Sequence, residues 1–146
     1  MLKTLFTEDL MIGSLKANKK NKAIEEMVDQ LDKQGKLLNK SAYLQAVLDR
    51  EEEYSTGIGM GIAIPHGKST GVKEPALVFA RSEAGVDFDS MDGEPAHLIF
   101  MVAVPESANE DHLKILGLIS RKLMHKDVRD QLMAAKSYDE VLKIIS

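Results

Sequence analysis

Apolar residues recur at helical spacing in two stretches of the first third of the chain. In the first stretch they lie three or four positions apart and predict an amphipathic helix: Ala23, Ile24, Met27, Val28 and Leu31. Asn18 is the expected N-cap of this helix, and Gly35 is its expected stop. A second helix is predicted to begin near Asn39 or Ser41 and to run to about Glu53. Its buried stripe is expected to hold Leu44, Val47 and Leu48.

Shorter apolar runs in the middle of the chain have the length of strands. We expect strands at residues 62–64, 76–80 and 86–89, with Asp92-Gly93 as a turn before the next strand. The longest run, residues 98–104, contains no charge and does not alternate with polar residues. Such a run is typical of a strand that is covered on both faces, so it is the predicted centre of the sheet.

The last third of the chain again has helical periodicity. Ser107 and Glu110 form a capping-box pattern that predicts a helix through about residue 124, and Ser137 with Glu140 repeats the pattern before a final helix. A short helix is expected at residues 128–134. One stripe of the first of these helices holds His112, Leu116, Ile119 and Leu123.

The alternation of helices and strands along the chain predicts an α/β fold. We expect a single-domain layered fold over residues 1–146, with a central mixed β-sheet flanked by helices on both faces. The length fits one domain, and 44% hydrophobic residues are enough to build its core.

Charge and composition argue against several classes of partner and of functional site. The net charge of -4 argues against a nucleic-acid partner, and the absence of cysteine excludes disulfides, thiolate nucleophiles and zinc-thiolate sites. Glu8 and Asp9 interrupt the apolar start, and no stretch approaches the roughly 20 apolar residues of a membrane span. The expected protein is cytoplasmic, with no direct membrane insertion and with a protein or small-molecule partner.

The most informative segment contains four glycines between Gly57 and Gly67 and ends in Ile64-Pro65-His66-Gly67. Glycine permits positive φ, whereas Pro65 fixes φ and favours an extended residue before it. The pattern predicts that a short strand delivers His66 to a tight turn at the rim of the sheet. An exposed imidazole is often neutral at cellular pH, so a free ring nitrogen is available as nucleophile, base or metal ligand. A surface histidine without function is the competing interpretation.

Two further residues are candidates for the same site. His112 lies in the first turn of a helix that follows the central strand, where α/β proteins commonly form a ligand crevice. His66 and His112 could meet at that crevice, but on its own His112 is more simply interpreted as a capping or partly buried helix histidine. Arg50 has a guanidinium suited to phosphate, but on spacing alone a solvated helix charge is the simpler interpretation.

Other polar groups fit structural roles. Asp87, Asp89, Asp92 and Gly93 resemble a calcium loop only in part, because Met91 and Leu98 occupy positions that require oxygen ligands. The glycines match neither the dinucleotide fingerprint nor the phosphate loop. His97 and His125 are predicted to be structural. The side chains of His66, His112 and Asp111 could in principle bind a metal, but their spacing matches no metal-ligand motif.

The sequence TGIGMGIAIPHGK at residues 56–68 closely resembles the active-site segment of the fructose/mannitol-type enzyme IIA domains of the bacterial sugar phosphotransferase system. Residues 85–88, 92–93, 98–106 and 112–116 resemble the same family in the same order, and the fructose branch is the most similar. The likeness covers essentially the whole chain.

The resemblance implies that His66 accepts a phosphoryl group on Nε2 from the phosphocarrier protein HPr and passes it to a cysteine of a IIB component. His112 would be the neighbour of His66 in the active site, and Arg50 would help to hold the phosphoryl group. We expect the backbone amide near Gly67 to contact phosphate, Ile58 and Met60 to belong to the docking surface, and a membrane IIC component to take part indirectly. No nucleotide, metal or other cofactor is required. A group that accepts from Nδ1 of His66 would fix its tautomer.

Two other functions remain as alternatives. The nitrogen-related branch of the family uses the same histidine in a regulatory module that controls partner proteins rather than sugar uptake. A metal-dependent hydrolase built on His66 and His112 is the third possibility, and it predicts stoichiometric metal in the purified protein.

Overall fold

A mixed sheet with helices packed against it makes up the computed structural model, which describes residues 2–108 and 110–146. Within these residues the helices are α1 (Leu2–Leu5), α2 (Lys20–Lys33), α3 (Lys40–Glu53), α4 (Asp111–Leu123), α5 (Lys126–Ala134) and α6 (Tyr138–Ile145), with a 3-10 turn at Glu8–Leu10. The strands are β1 (Met11–Ile12), β2 (Gly57–Gly59), β3 (Ile62–Ala63), β4 (His66–Ser69), β5 (Ala76–Val86) and β6 (Ala96–Pro105). In this described part of the chain, no helix has the length and apolarity to cross a membrane.

Strand β6 lies at the centre of the sheet, as the sequence predicts. The strand order is β1-β5-β6-β3-β2, and β4 also pairs with β6. Strand β5 runs antiparallel to β6, whereas β3 and β4 run parallel to it, so the sheet is mixed. Residues 98–104 of β6 are all buried, which confirms that both faces of this strand are covered. Helices α4 and α5 pack on β6 itself, whereas α2 packs on the neighbouring strand β5 and α3 on β4.

Strands β3 and β4 are two parts of one interrupted strand beside β6. Ile62 pairs with Leu98 and His66 pairs with Val102. The second pair lies four positions after the first on both strands, so the register is unchanged across the gap. The gap is Ile64-Pro65, where proline has no N–H to donate to a ladder. The Pro65 carbonyl still accepts from the Val102 N–H at 3.1 Å. The expected strand at 62–64 is therefore shorter than predicted, and a second strand follows it.

The helix boundaries confirm two of the predicted caps and correct two others. The Asn39 side chain accepts from the Ala42 N–H at 3.1 Å, and Ser137 accepts from Glu140 at 3.2 Å. The prediction that Asn18 caps α2 is wrong, because the N-cap is Lys19. The start predicted at Ser107 is also wrong. Ser107 belongs to a turn after β6, and α4 begins at Asp111.

The strand boundaries in the middle of the chain also differ from the expectation. Strand β5 continues from Ala76 to Val86, well beyond residue 80. The predicted strand at 86–89 is absent from the described structure, where Asp87 forms only an isolated bridge with Lys19. Val86 is instead the last residue of β5, and Asp89 has a positive φ of +55°, so no extended run continues through residue 89. The turn at Asp92-Gly93 is confirmed, with Gly93 at φ +74°.

Helix α3 packs on β4 through a stripe that confirms the predicted Val47 and adds Tyr43 and Glu51. Tyr43, Val47 and Glu51 are buried, whereas Leu44 and Leu48 are only half-buried. The Tyr43 hydroxyl donates to the Val102 carbonyl at 2.9 Å, so the helix is tied to the strand that pairs with His66.

Candidate active site

His66 is the first residue of β4 and is half-buried. Its Nδ1 lies 2.9 Å from the Ile64 carbonyl oxygen. A carbonyl only accepts hydrogen bonds, so Nδ1 must carry the proton, and Nε2 of the neutral ring keeps a free lone pair. The interruption at Ile64-Pro65 therefore supplies the acceptor that the sequence left unidentified.

The tight turn in the glycine-rich segment lies before His66 rather than at it. Gly59, Met60 and Gly61 have φ values of +87°, +59° and +77°, and they connect β2 to β3. His66 itself belongs to a strand, which contradicts its predicted place on a turn. A strand residue that is paired with Val102 has a more restricted position than a loop residue.

His112 faces His66 from the first turn of α4. The two ring centroids are 5.1 Å apart and the ring planes are inclined by 48°. The Nε2 atom of His112 is buried, and it has no hydrogen-bond partner in the described part of the chain. Because a buried polar atom without a partner is costly, this atom marks a place where a polar ligand would be favourable. The structure thus brings together the two histidines that the sequence pairs.

The pKa of each histidine is lowered, which favours the neutral form of the ring. Burial is the main cause that lowers the pKa of His66, and the Arg50 charge lowers it further, while the hydrogen bond to Ile64 and the Glu51 charge oppose this. Burial also lowers the pKa of His112, and electrostatic interactions with His66, Lys68 and Arg50 lower it further. A neutral imidazole keeps the lone pair that a nucleophile or a base needs.

Arg50 lies in the last turn of α3 and stands near the histidines rather than in contact with them. Its Nη1 donates to the Tyr54 carbonyl at 2.8 Å, and its guanidinium carbon lies 4.3 Å from the centre of the Tyr54 ring. Its charge nevertheless lowers the pKa of both His66 and His112. Whether Arg50 binds a phosphoryl group stays a prediction.

Gly67 fits a packing role next to the site. A Cβ at this position would lie 3.0 Å from Cγ2 of Val47 and 3.2 Å from Cε1 of Tyr43, so glycine lets α3 approach β4 closely. Side chains alternate along a strand, so His66 and Lys68 leave the opposite face from the one that Gly67 presents to α3. A contact between Gly67 and phosphate stays a prediction. Lys68 is a cation that the sequence reasoning missed, although strand alternation would have placed it beside His66.

The remaining histidines and apolar candidates lie elsewhere. His97 is in β6, with Nδ1 2.8 Å from the Ser82 carbonyl, and His125 is the N-cap residue of α5. Ile58 in β2 and Met60 in the β2–β3 turn are exposed, and their part in a docking surface stays a prediction.

The site residues do not assemble a metal-ligand group in the part of the chain that the structure describes. Among those residues, no set of three or more histidine and carboxylate side chains is placed to hold a metal ion. The Asp111 side chain, which the sequence suggested as a third ligand, lies outside the described residues.

Known proteins resemble this chain in both sequence and fold. Residues 4–146 match the family described as "Phosphoenolpyruvate-dependent sugar phosphotransferase system, EIIA 2". The chain is 47% identical to the fructose-specific EIIABC component of Bacillus subtilis over 97% of its own length, but it spans only 22% of that protein. It is 46% identical to the fructose-specific EIIA component of Haloferax volcanii, covering 87% of this chain and 82% of that protein.

Two solved structures share the fold. The nitrogen regulatory protein IIA-Ntr of Neisseria meningitidis superposes with a TM-score of 0.86 at 31% identity, covering 98% of this chain and 97% of that one. IIA mannitol of Escherichia coli, solved in complex with phosphorylated IIB mannitol, superposes with a TM-score of 0.82 at 29% identity, covering 97% and 98%. The match extends through the whole described fold, from the sheet to the helix that carries His112. This chain therefore belongs to the EIIA type 2 family of the phosphoenolpyruvate-dependent sugar phosphotransferase system.

Proposed function

We propose that His66 is the phosphoryl acceptor of a phosphocarrier that acts in sugar uptake in the cytoplasm. The observation that carries the proposal is the half-buried His66 ring, whose Nδ1 is bonded to the Ile64 carbonyl so that Nε2 has a free lone pair. In the first step this lone pair forms a new P–N bond while the P–N bond on the donor histidine of HPr breaks. The electron pair of the broken bond stays on the donor nitrogen, and the Nδ1 proton stays in its bond to the Ile64 carbonyl.

In the second step, the thiolate of a IIB cysteine attacks the same phosphorus. The P–Nε2 bond breaks as the P–S bond forms, and the lone pair returns to Nε2 of His66. The Escherichia coli neighbour is seen with a phosphorylated IIB protein, which supports a IIB domain or subunit as the acceptor. The Bacillus subtilis relative combines components A, B and C in its name, which supports a membrane IIC component further along the route.

The groups around His66 suit phosphoryl transfer. Besides the nucleophile, such reactions need in-line positioning and stabilisation of charge on the phosphoryl oxygens. The unpartnered Nε2 of His112 can donate to one oxygen when it carries the proton of the neutral ring. Arg50 and Lys68 add positive charge, and the amide near Gly67 is a further phosphate contact in this proposal. None of these steps uses a nucleotide or a metal.

Fructose is the proposed sugar. Both fructose-specific relatives are 46–47% identical to this chain, well above the identity to the mannitol neighbour. The side chains of the EIIA domain itself do not touch the sugar in the two proposed steps, so the assignment depends on these relatives alone.

The proposal is tested by incubating the protein with phosphoenolpyruvate, enzyme I and HPr. We expect an acid-labile phosphate on His66, identified by mass spectrometry of the peptide, and no label when HPr is omitted. Adding a fructose-type IIB domain should then move the label to its cysteine. If the wild-type protein takes no label, the proposed function is rejected.

A regulatory module is the second function that an observation favours. The nitrogen regulatory protein of Neisseria meningitidis has the same fold at 31% identity over nearly the whole chain. A module of that kind would carry the phosphate on the same histidine but need not deliver it to a IIB cysteine. Label that stays on His66 in the presence of a fructose-type IIB domain would therefore favour regulation over transport.

Replacing His112 is expected to change the rate of phosphoryl transfer but not the final extent of labelling. Replacing it with alanine removes a neutral donor from beside the phosphoryl group, so we expect transfer from HPr to slow by about 100-fold, while the final extent of labelling is retained. Rapid-quench measurement of the first turnover gives the rate. His125→Ala is the matched control, because His125 is exposed at the start of α5. Equal rates for His112→Ala and wild type would refute the catalytic role.

A further inference from the structure

Glu51 is a buried carboxylate next to the site, and no step above uses it. It is the first of three consecutive glutamates at the end of α3, and its side chain is only 4% exposed, whereas Glu52 and Glu53 are exposed. A buried charge is costly unless it is paired and hydrogen-bonded. The buried Glu51 carboxylate therefore needs a counter-charge and hydrogen-bond donors around it.

Three donors surround the Glu51 carboxylate. The Lys20 ammonium lies 2.8 Å from Oε2, the Thr56 N–H donates to Oε2 at 3.2 Å, and the Thr56 hydroxyl donates to Oε1. Lys20 is the first residue of α2, so this carboxylate joins the start of α2 and the end of α3 to the segment that leads into β2. Thr56 is itself buried and has little freedom to move.

Thr56 continues the connection to the active site. Its carbonyl accepts from the Ile64 N–H at 3.0 Å, and the Ile64 carbonyl is the atom that accepts from Nδ1 of His66. Ile64 belongs to the interruption between β3 and β4, where ladder bonds alone do not fix the backbone. Glu51 thus reaches the imidazole through Thr56 and Ile64, without touching it.

We propose that Glu51 is a positioning residue, whose carboxylate, paired with Lys20, anchors Thr56 and so holds the Ile64 carbonyl that selects the Nδ1–H tautomer of His66. The same charge raises the pKa of His66 and partly offsets Arg50. The inference deepens the proposed function, because the selected tautomer leaves Nε2 as the nucleophile. It concerns the ring before any phosphate arrives, so it can be measured on the unmodified protein.

The test compares Glu51→Gln with Glu52→Gln, which makes the same charge change one residue later on the exposed surface. Glutamine keeps the shape but offers Thr56 one acceptor oxygen instead of two, and it loses the ion pair with Lys20. In two-dimensional ¹H–¹⁵N spectra of the ring, wild type and Glu52→Gln should show protonated Nδ1 and unprotonated Nε2. Glu51→Gln should show a mixture of the two tautomers and accept phosphate about ten-fold more slowly.

A second variant tests the same inference if Glu51→Gln does not fold. The double variant Lys20→Gln/Glu51→Gln removes both charges of the pair, so the Lys20 ammonium is not left without its main partner, and it should give the same mixture of tautomers. A wild-type tautomer in the folded variant, or an equal change in Glu52→Gln, would overturn the inference. If the tautomer shifts in Glu51→Gln but wild type takes no phosphate from HPr, the positioning role stands and the phosphocarrier function fails.

Discussion

Replacing His66 with alanine is expected to abolish phosphoryl transfer from HPr, because no other described side chain offers a neutral Nε2 fixed by a backbone carbonyl at this place in the site. The fold should remain intact. His66 is half-buried, and its ring makes one backbone hydrogen bond, so the expected loss of stability is about 1 kcal/mol. Radiolabel from phosphoenolpyruvate and thermal unfolding monitored by circular dichroism measure the two effects on the same sample.

The control for this variant is His125→Ala, which should take the full label. Label on the His66→Ala protein would show that another residue is the acceptor. A severe loss of stability in His66→Ala would instead identify this histidine as a structural residue, in which case the missing label would carry no information about chemistry.

Replacing Gly71 with alanine is expected to cause a large loss of stability. The added Cβ would lie 2.5 Å from the Asn39 carbonyl oxygen, 3.1 Å from Cβ of Ala42 and 3.2 Å from the Tyr43 nitrogen. Two of these atoms are backbone atoms, one in the N-cap residue of α3 and one in its first turn, and the Gly71 carbonyl also accepts from the Leu38 N–H at 2.7 Å. Since neither side can move without breaking these bonds, we expect a cost of about 3 kcal/mol.

Chemical denaturation of Gly71→Ala and Gly13→Ala checks this prediction. Gly13 has no atom within 4 Å of the position where a Cβ would be added, so the same substitution should leave the free energy of unfolding within about 0.5 kcal/mol of wild type. Similar midpoints for the two variants would contradict the close approach of Gly71 to α3.

The elements that the sequence predicts well are those whose signal is local. Helix α3 begins after Asn39 and α6 after Ser137, as predicted, because each cap depends on a side chain and an amide three residues apart. The cap predicted at Ser107 failed, since residues after β6 form a turn before α4 begins. The division of one strand into β3 and β4 could not be predicted, because it depends on pairing with the distant strand β6.

In the candidate site too, some features could be predicted from the sequence and others depend on contacts between distant segments. The meeting of His66 and His112 was predicted from topology, because a strand end and the first turn of a helix commonly border one crevice. The burial of Glu51 was hidden in a run of three glutamates that looks like a solvated helix end. Its partners Lys20 and Thr56 lie on separate segments, so only the folded chain reveals the connection.

The register with β6 is the same before and after Ile64-Pro65. The number of residues between Ala63 and His66 therefore decides which face of the sheet the His66 side chain leaves. Neighbouring residues in an extended chain point to opposite faces, so one residue added between Ala63 and His66 would turn the imidazole towards α3, where Val47 and Tyr43 leave no room for a side chain. Substitutions at residues 64 and 65 keep the number of residues and so the direction of His66, whereas a single insertion would reverse that direction. The direction in which His66 points is therefore encoded by the number of residues in the stretch as much as by their identity.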